Sequence, residues 1–388
     1  MRRAAPLVAE INLAAIRHNL SLVREAVGPG VRICPAVKAN AYGHGIATIL
    51  PAIRASGVED LAVATLDEAL ELRELGWTGR ILVFGRPVLG ATAAEIRTLA
   101  REAVRADLTC SIAGEAEAGA LADAAREAGR RACVQVKIDS GMGRAGIEPA
   151  QAIALVHACR RVSGLFVDAV YTHFATADEP DLTFANEQLA TFTAATAGLD
   201  VPMRHAANTA AIFRLPDSHF QLVRPGIGMY GYWPDPTLTA PVALRPSLRL
   251  VSRLTAVRRL PTGHAVGYGR AFVASRDTVI GLVPIGYADG YRRSLGNRAV
   301  MTVEPRTGRP QIAPVIGRIS MDQTMLDLTD VPGAGEGDRV VVIDDTPAAP
   351  NSVSALARLM DTIPYEVTCG LGRRVPLRGH YSLLPNGV

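Results

Sequence analysis

The chain lacks an apolar run long enough to span a membrane, and Glu10 interrupts the apolar stretch after Arg2 and Arg3 before it reaches signal-peptide length. Its five cysteines are odd in number and include no CxxC pair, which disfavours a disulfide framework or a zinc site. No repeat of fixed period stands out. These absences favour a cytoplasmic globular protein that has buried thiols, no metal and no membrane partner.

Charge and size narrow the class further. The 388 residues include 41 basic and 37 acidic side chains, and the arginine pairs are scattered instead of forming one basic stripe. A nucleic-acid partner is therefore disfavoured. With 48% hydrophobic and 20% charged residues, the composition is that of a folded protein, and the length suits two domains or a barrel with a companion domain.

Eight short apolar or β-branched runs alternate with helical patterns between residues 31 and 226. They are VRICPAV (31–37), LAVAT (61–65), RILVFG (80–85), ADLTC (106–110), ACVQVKI (132–138), GLFVDAVYT (164–172), PMRHAA (202–207) and QLVRPG (221–226). Helical periodicity with a closing glycine predicts helices over 67–76 and 113–129. Eight βα units in this length predict a (β/α)8 TIM barrel, with an open doubly wound sheet as the alternative.

The pattern changes after residue 240. Strand-like segments separated by Gly/Pro turns follow, with one helix expected near Ser354–Met360; the segments are LRLVSRLTAVRRL, TVIGLVPIG, RAVMTV, GRISMDQTMLDL and RVVVID. We predict a barrel domain over 1–240 and a mainly β C-terminal domain over 241–388. Residues 1–12 are a candidate for pairing with the second domain.

Unusual polar residues close several of the barrel runs at their C-terminal ends. They are Lys38, Lys137 with Asp139, His173, His205 with Asn208, and Arg224. A single lysine at a strand end is usually a surface charge, and a single histidine is usually structural. On a barrel, however, these ends share the catalytic face, so their convergence there points to an active site.

Two stretches near the last barrel strands have the features of a phosphate site. HAANTAAIF (205–213) offers a hydroxyl at Thr209 and a helix start at Asn208, and VRPGIGMYG (223–231) frees backbone amides at Gly226 and Gly228. A phosphate site beside a strand-end lysine suggests pyridoxal 5′-phosphate, with Lys38 as its covalent attachment point.

A series of ordered motifs then resembles one family. The motifs are AVKANAYGHG (36–45), KIDSGMGRAG (137–146), YTHFATAD (171–178), HAANTAA, RPGIGMYG, VGYGRAF (266–272), GYADGYRR (286–293) and GRISMDQ (317–323). Over nearly its whole length the chain is similar to the alanine racemases, pyridoxal-phosphate enzymes with a (β/α)8 barrel and a β-rich C-terminal domain. The resemblance implies two-base interconversion of L- and D-alanine, with D-alanine used for peptidoglycan.

Carried over to this sequence, the resemblance implies cofactor contacts from the barrel. The residues are Lys38, Tyr42, His173, Asn208, Thr209, Arg224, Gly226 and Ile227, with Thr209 where the family usually has serine. Arg224 would bond the ring nitrogen, and because a guanidinium does not readily release a proton, it would keep that nitrogen unprotonated. Arg144 would hold the ring oxygen and the substrate carboxylate, supported by Lys137, whose counterpart is often carbamylated.

The second base implied by the resemblance is Tyr268, contributed by the partner subunit of a homodimer. The partner would also contribute the backbone of Met321 and the gate residues Tyr287, Arg293, Arg318 and Asp322. Asp178 would be a gate residue of the first subunit. Arg373 stands where many members have a tyrosine that bonds the phosphate, which leaves the pocket size and the substrate preference open.

Three alternatives remain at the level of sequence. A serine or broad-specificity racemase is the alternative within the racemases, because the sequence does not give the volume of the pocket. A fold-type III decarboxylase shares the architecture, but no glycine-triplet phosphate loop is found here. A single-domain pyridoxal-phosphate-binding protein would lack the C-terminal domain and Tyr268.

Overall fold

The computed structural model describes residues 6–381, which form two compact units. One unit contains residues 6–18, 42–52 and 230–381. The other contains Asn19–Ala41 and Ile53–Met229. We call them the β unit and the barrel unit.

The elements of the first 230 residues alternate regularly. The strands are β1 (Val8–Asn12), β2 (Arg32–Ile33), β3 (Asp60–Val63), β4 (Arg80–Val83), β5 (Thr109–Ile112), β6 (Ala132–Lys137), β7 (Leu165–Tyr171), β8 (Met203–His205) and β9 (Leu222–Val223). The helices are α1 (Leu13–Val27), α2 (Ile46–Arg54), α3 (Leu66–Glu74), α4 (Ala93–Arg105), α5 (Glu115–Glu127), α6 (Ala152–Arg161), α7 (Thr183–Ala195) and α8 (Thr209–Arg214).

The predicted barrel is confirmed. Within the described residues, β3 to β8 form a parallel sheet in sequence order, and β2 pairs in parallel with β9. The Val37 amide donates to the carbonyl of Ala62 (2.8 Å), and the Arg224 amide donates to that of Ala207 (2.9 Å), so the ring closes on both sides. Small and apolar side chains fill its interior: Cys34, Ala62, Leu82, Ala169, Met203 and Leu222.

Several strands differ in extent from the predicted runs, and two of them show local reasons. In the first run β2 ends at Ile33, but the hydrogen bonding continues: Pro35, which has no amide hydrogen, accepts the Ala62 amide (2.9 Å), and the Ala36 amide donates to the Pro225 carbonyl (2.8 Å). The fourth run begins later than predicted, since Ala106 caps α4 and Asp107 has a φ of +54°, which turns the chain before β5. The helices predicted over 67–76 and 113–129 are confirmed as α3 and α5.

Local capping signals explain where two barrel helices begin. Thr65 accepts the Glu68 amide while the Glu68 carboxylate accepts the Thr65 amide, and Thr92 with Glu95 repeats the same box before α4. Each box satisfies amides that have no partner inside the helix.

The β unit contains the remaining elements. The strands are β10 (Leu248–Arg253), β11 (Ala256–Leu260), β12 (Ala265–Val266), β13 (Phe272–Val273), β14 (Thr278–Val283), β15 (Val300–Glu304), β16 (Gln311–Ile316), β17 (Thr324–Asp327), β18 (Arg339–Ile343) and β19 (Leu377–His380). The helices are α9 (Val353–Leu359) and α10 (Pro364–Cys369), of which only α9 was predicted.

Among the described residues, one sheet contains nine strands in the order β11, β14, β17, β16, β15, β18, β10, β1, β19. The N-terminal strand β1 lies between β10 and β19, with Ala9 opposite Leu250 on one side and Leu377 on the other. The predicted mainly β character is confirmed, although the whole of GRISMDQ (317–323) is a loop between β16 and β17. None of the helices described in residues 6–381 is long and apolar enough to cross a membrane.

Candidate active site

A cluster of cations lies at the C-terminal ends of the barrel strands. Lys137 ends β6, and its pKa falls to about 8 through burial first and then through the charges of Arg144 and Arg224, with a smaller contribution from Lys38. The nearby Asp139 carboxylate opposes this shift. The barrel unit therefore brings together three cations that the sequence placed at separate strand ends, Lys38, Lys137 and Arg224, with Arg144, which the family resemblance implied. Such a cluster favours an anionic ligand.

Lys38 and Lys137 are the only lysines in the sequence. The rest of the 41 lysines and arginines are arginines. Both contribute to the electrostatics of the same cluster. Any lysine chemistry of this protein is therefore confined to the barrel mouth.

The chain leaves Lys38 through a left-handed turn. Four consecutive residues, Ala39 to Tyr42, have φ between +51° and +56°, a conformation that L-residues other than glycine and asparagine rarely adopt. The Ala39 amide donates to Glu68 Oε1 (2.6 Å), and the Ala41 amide donates to the Val37 carbonyl (2.8 Å). Because Glu68 belongs to the capping box of α3, the first turn of that helix anchors the turn after Lys38.

Arg224 is buried and held by three acceptors. Its Nη2 donates to the carbonyls of Thr172 (2.7 Å) and Ala206 (3.0 Å), and its Nη1 contacts Nδ1 of His205. Burial lowers the pKa of Arg224 to about 10, so the guanidinium remains charged at neutral pH. A fixed cation therefore stands at the end of β9.

An aromatic ring that sequence reasoning missed supports this cluster. Tyr171 stacks on His205 with ring centroids 4.8 Å apart, and the Arg224 guanidinium carbon lies 5.4 Å from the Tyr171 ring centre. Lys137 Nζ lies 6.0 Å from the same centre. The position of Tyr171 at the end of β7, two residues before His173, could have indicated from the sequence that it belongs to the site.

His173 is neutral in this environment. Burial, followed by the charges of Arg224 and Arg144, holds the pKa of His173 well below its ordinary value. A neutral imidazole beside several cations adds no further repulsion, and it suits a ring that packs on a ligand.

A carboxylate that was not assigned a role organises the loop to Arg144. Oδ1 of Asp139 accepts the amides of Gly141, Met142 and Gly143 at 2.8–3.1 Å, and Oδ2 accepts the Arg144 amide at 3.0 Å. Burial alone would raise the pKa of Asp139, but these four backbone hydrogen bonds outweigh it and lower the pKa. The Asp139 carboxylate thus fixes the backbone from which Arg144 projects.

The predicted phosphate loop forms a compact cradle. Thr209 Oγ1 accepts the amides of Gly226 (2.9 Å) and Gly228 (3.2 Å), so its own proton remains to be donated elsewhere. A Cβ at Gly228 would lie 2.6 Å from Thr209 Cγ2, which requires glycine there. Asn208 caps α8 by accepting the Ala211 amide (3.0 Å), and Ile227 is fully buried.

The remaining predicted barrel residue is Asp178, in the loop after β7. It is half-buried, and the carbonyls of its neighbours Ala177 and Glu179 accept hydrogen bonds from Arg214 at 3.0 and 2.5 Å.

Tyr42 falls in the β unit, where its buried ring lies 5.0 Å from Tyr230 and 5.7 Å from Tyr365.

Tyr268 is a solvent-exposed residue of the β unit, in a turn between two glycines. It is 70% exposed and lies between Gly267 (φ +70°) and Gly269 (φ +67°). A Cβ at Gly269 would lie 2.6 Å from Nη1 of Arg318, so the glycine lets that arginine pack against the turn.

Other predicted gate residues gather in the β unit. The Tyr287 amide donates to the Ser320 carbonyl (3.1 Å), and the next amide donates to the carbonyl of Met321 (3.0 Å). Arg374 donates to Asp322 at 2.5 Å. Met321 and Tyr287 are 53% and 43% exposed, and Arg293 begins a short 3-10 turn. The β unit therefore displays apolar side chains that its own fold leaves in solvent.

Fold and site together define a class: an enzyme with a (β/α)8 barrel, an added β domain, and a strand-end lysine among cations. The family model for the alanine racemase N-terminal domain matches residues 11–234, and that for the alanine racemase C-terminal domain matches residues 247–378. The chain belongs to the alanine racemase family.

Individual relatives agree with this assignment. The alanine racemase of Desulfovibrio desulfuricans is 39% identical over 381 residues, covering 96% of this chain and 97% of the relative. Alanine racemase 2 of Caldanaerobacter subterraneus subsp. tengcongensis is 36% identical over 377 residues, covering 96% and 94%.

Solved structures show the same fold. An alanine racemase from Streptomyces lavendulae superposes with a TM-score of 0.87 at 36% identity, covering 97% of each chain. An alanine racemase from Bartonella henselae with covalently bound pyridoxal phosphate superposes with a TM-score of 0.84 at 26% identity, covering 97% of this chain and all of the other.

Proposed function

We propose that this protein interconverts L- and D-alanine with pyridoxal 5′-phosphate attached to Lys38, as a homodimer with shared active sites. The observation that carries the proposal is the cluster of Lys38, Lys137, Arg144 and Arg224 at the barrel strand ends, in a chain of the alanine racemase family. Provision of D-alanine for peptidoglycan in the cytoplasm is part of the proposal. The free thiols of all five cysteines are consistent with a reducing compartment.

The residues present fit this cofactor. Its phosphate requires hydrogen-bond donors, and the Thr209 hydroxyl offers its proton, because its oxygen already accepts the amides of Gly226 and Gly228. The ring nitrogen of the cofactor can accept a hydrogen bond from the fixed Arg224 guanidinium, which remains protonated. The negative charges of the cofactor would reduce the repulsion among the four cations of the cluster. When bound, pyridoxal phosphate supplies a conjugated ring that accepts the electron pair left on the α-carbon.

Racemisation requires a proton to be removed from one face of the α-carbon and returned on the other. Lys38 Nζ would serve one face and Tyr268 Oη the other, while Arg144 would hold the substrate carboxylate. His173, neutral and half-buried, would pack against the cofactor ring. Arg224 would keep the ring nitrogen unprotonated, which favours rapid proton return over transamination.

The homodimer would supply Tyr268 across the interface. The 70% exposure of Tyr268, together with the exposed Met321 and Tyr287, leaves the proposed second base and its neighbours free for a partner subunit. Arg293, Arg318 and Asp322 would line the approach from that side, and Asp178 would line it from the barrel.

The first experiment measures α-proton exchange in deuterium oxide. We expect wild-type protein to convert L-alanine into D-alanine with deuterium at Cα, much faster than it converts L-serine. The Tyr268→Phe variant should lose exchange from one alanine enantiomer selectively. Faster turnover of serine or of several amino acids would replace the alanine assignment with the broad-specificity alternative, and absence of exchange in the loaded enzyme would overturn racemisation.

The attachment site has its own test, because only two lysines are available. Borohydride treatment of the loaded enzyme should fix the cofactor on the peptide that contains Lys38. The matched control is Lys137→Arg, which should still be labelled, whereas Lys38→Arg should not. A label on the Lys137 peptide would contradict the assignment.

A further inference from the structure

The interior of the barrel contains a polar chain that the proposed reaction does not use. Gln135 and Asp168 are 1% and 2% exposed and lie within the mainly apolar strands β6 and β7. Gln135 Oε1 lies 2.9 Å from Nε2 of His205, and Gln135 Nε2 lies 2.8 Å from Oδ2 of Asp168. Resting on the function proposed above, we propose that Gln135 is a positioning residue that sets the tautomer of His205 and thereby the orientation of Arg224.

The direction of the Gln135 amide follows from its neighbour. An ionised carboxylate only accepts hydrogen bonds, and Asp168 Oδ2 already accepts from Arg80 Nη1 at 2.5 Å. The amide nitrogen of Gln135 must therefore face Asp168. Its carbonyl oxygen is left to face His205.

The orientation of the amide decides where the proton of His205 lies. Because Gln135 Oε1 accepts, Nε2 of His205 carries the proton and donates. Nδ1 then holds a lone pair, and this is the atom that Arg224 Nη1 contacts. With the proton on Nδ1 instead, two donors would face each other and the contact would be repulsive.

The surroundings keep His205 neutral, which this arrangement requires. His205 is fully buried, and burial followed by the charges of Arg224 and Arg80 holds its pKa well below the ordinary value. Tyr171 stacks on the imidazole with an angle of 5° between the rings, which fixes the plane of the imidazole.

Contacts at both terminal nitrogens thus fix the orientation of the Arg224 guanidinium. Two carbonyls, those of Thr172 and Ala206, hold Nη2, and the Nδ1 lone pair of His205 holds Nη1. Gln135 acts on Arg224 through His205 and touches neither the proposed substrate nor the cofactor. Asp168 acts one step further away, as the group that orients Gln135.

Nuclear magnetic resonance of ring-¹⁵N histidine in the loaded enzyme tests the proposal directly. The chain has eight histidines, and the signal of His205 is assigned by its loss in His205→Asn. In wild type we expect a neutral ring with its proton on Nε2. A proton on Nδ1, or a charged ring near neutral pH, would overturn the proposal.

Two variants change the tautomer in defined ways. Gln135→Met removes the acceptor and should yield a mixture of tautomers. Asp168→Ala removes the acceptor that orients the Gln135 amide, so both amide orientations become accessible and part of the population should carry the proton on Nδ1. If either folded variant keeps the wild-type tautomer undiminished, Gln135 does not set it; the second variant covers the case in which the first does not fold.

The matched control is Thr109→Val, which removes a buried hydroxyl from the neighbouring strand β5 and leaves the Gln135 hydrogen bonds intact. It should keep the wild-type tautomer. In Gln135→Met we also expect kcat for alanine to fall about tenfold, as when an outer hydrogen-bond partner of a metal-binding histidine is lost, with little change in KM. Unchanged kcat would contradict a positioning role, whereas an inactive wild type with the expected tautomer would overturn only the proposed reaction.

Discussion

At the scale of single residues, the main finding is that charge crowding changes the chemistry of Lys137. An ordinary lysine, with a pKa near 10.4, is neutral in about one molecule in 2,500 at pH 7. With a pKa of about 8, Lys137 is neutral in about one molecule in ten. Only the neutral amine adds carbon dioxide to form a carbamate and a proton, so the structure favours the modification that the family resemblance implies.

We predict that Lys137 is carbamylated in bicarbonate. In ¹³C-bicarbonate the wild type should show a carbamate signal that grows as the pH rises toward 8, because the neutral amine becomes more abundant. Lys137→Arg should lack the signal and Lys38→Arg should keep it. The α-amino group can also form a carbamate, so the Lys137 signal is identified by its loss in Lys137→Arg; identical carbamate spectra of wild type and Lys137→Arg would contradict the prediction.

A second residue-scale prediction concerns Asp139. Its four backbone hydrogen bonds lower its pKa, so its stabilising effect is complete above the unfolded-state pKa and is lost as the pH falls through the folded-state value. Asp139→Ala should reduce the free energy of unfolding by about 1–2 kcal/mol at pH 7. The difference between the two proteins should shrink in acid.

Urea unfolding at several pH values measures this effect. Asp181→Ala is a suitable control, because this exposed carboxylate holds only the start of α7, through Thr183. We expect it to cost less at pH 7. A constant difference between wild type and Asp139→Ala across the pH range would refute the ionic account of the loop.

At the scale of elements, the left-handed turn after Lys38 is under strain. A left-handed conformation costs an alanine about 1–2 kcal/mol, whereas glycine adopts it without steric cost but loses about 0.5–1 kcal/mol of chain entropy. The Glu68 carboxylate and the Val37 carbonyl hold the strained amides of Ala39 and Ala41 in place.

We predict that Ala39→Gly stabilises the protein by up to about 1 kcal/mol, because the exposed Ala39 has a φ of +53°. The matched control is Ala190→Gly, an exposed position inside the right-handed helix α7, which should destabilise by about 1 kcal/mol. Urea unfolding of both variants compares them. Destabilisation of similar size in both would show that the turn stores no strain.

At the scale of the whole molecule, the proposed shared sites predict complementation between inactive chains. Lys38→Ala and Tyr268→Phe each inactivate both sites of their own homodimer. If Tyr268 acts across the interface, a mixed dimer contains one site with both residues intact.

Random mixing of equal amounts forms mixed dimers in half the population, so we expect about a quarter of the wild-type activity. The measurement is alanine racemisation after the two chains are co-expressed and purified together. The double variant Lys38→Ala/Tyr268→Phe mixed with wild type is the control. Activity no higher than that of the separate variants would place both bases on one chain.

The sequence by itself determined the broad architecture and the candidate residues. Strand and helix periodicities are local, so the eight barrel runs, α3, α5 and the β-rich C-terminal part were predictable, and the ordered motifs identified the family. Lys38, Lys137 and Arg224 were recognised because charges at the ends of apolar runs are conspicuous. The roles of Tyr268 and of the gate residues remain predictions.

Only the tertiary structure decided which groups act on one another. Gln135 and His205 are 70 positions apart, and Glu68 lies 29 positions from Ala39, so no local pattern pairs them. The pKa of Lys137 likewise depends on its burial and on charges from other strands. Closing the barrel brings these distant groups into a region of low dielectric constant, where hydrogen-bond direction and charge separation determine tautomers and pKa values.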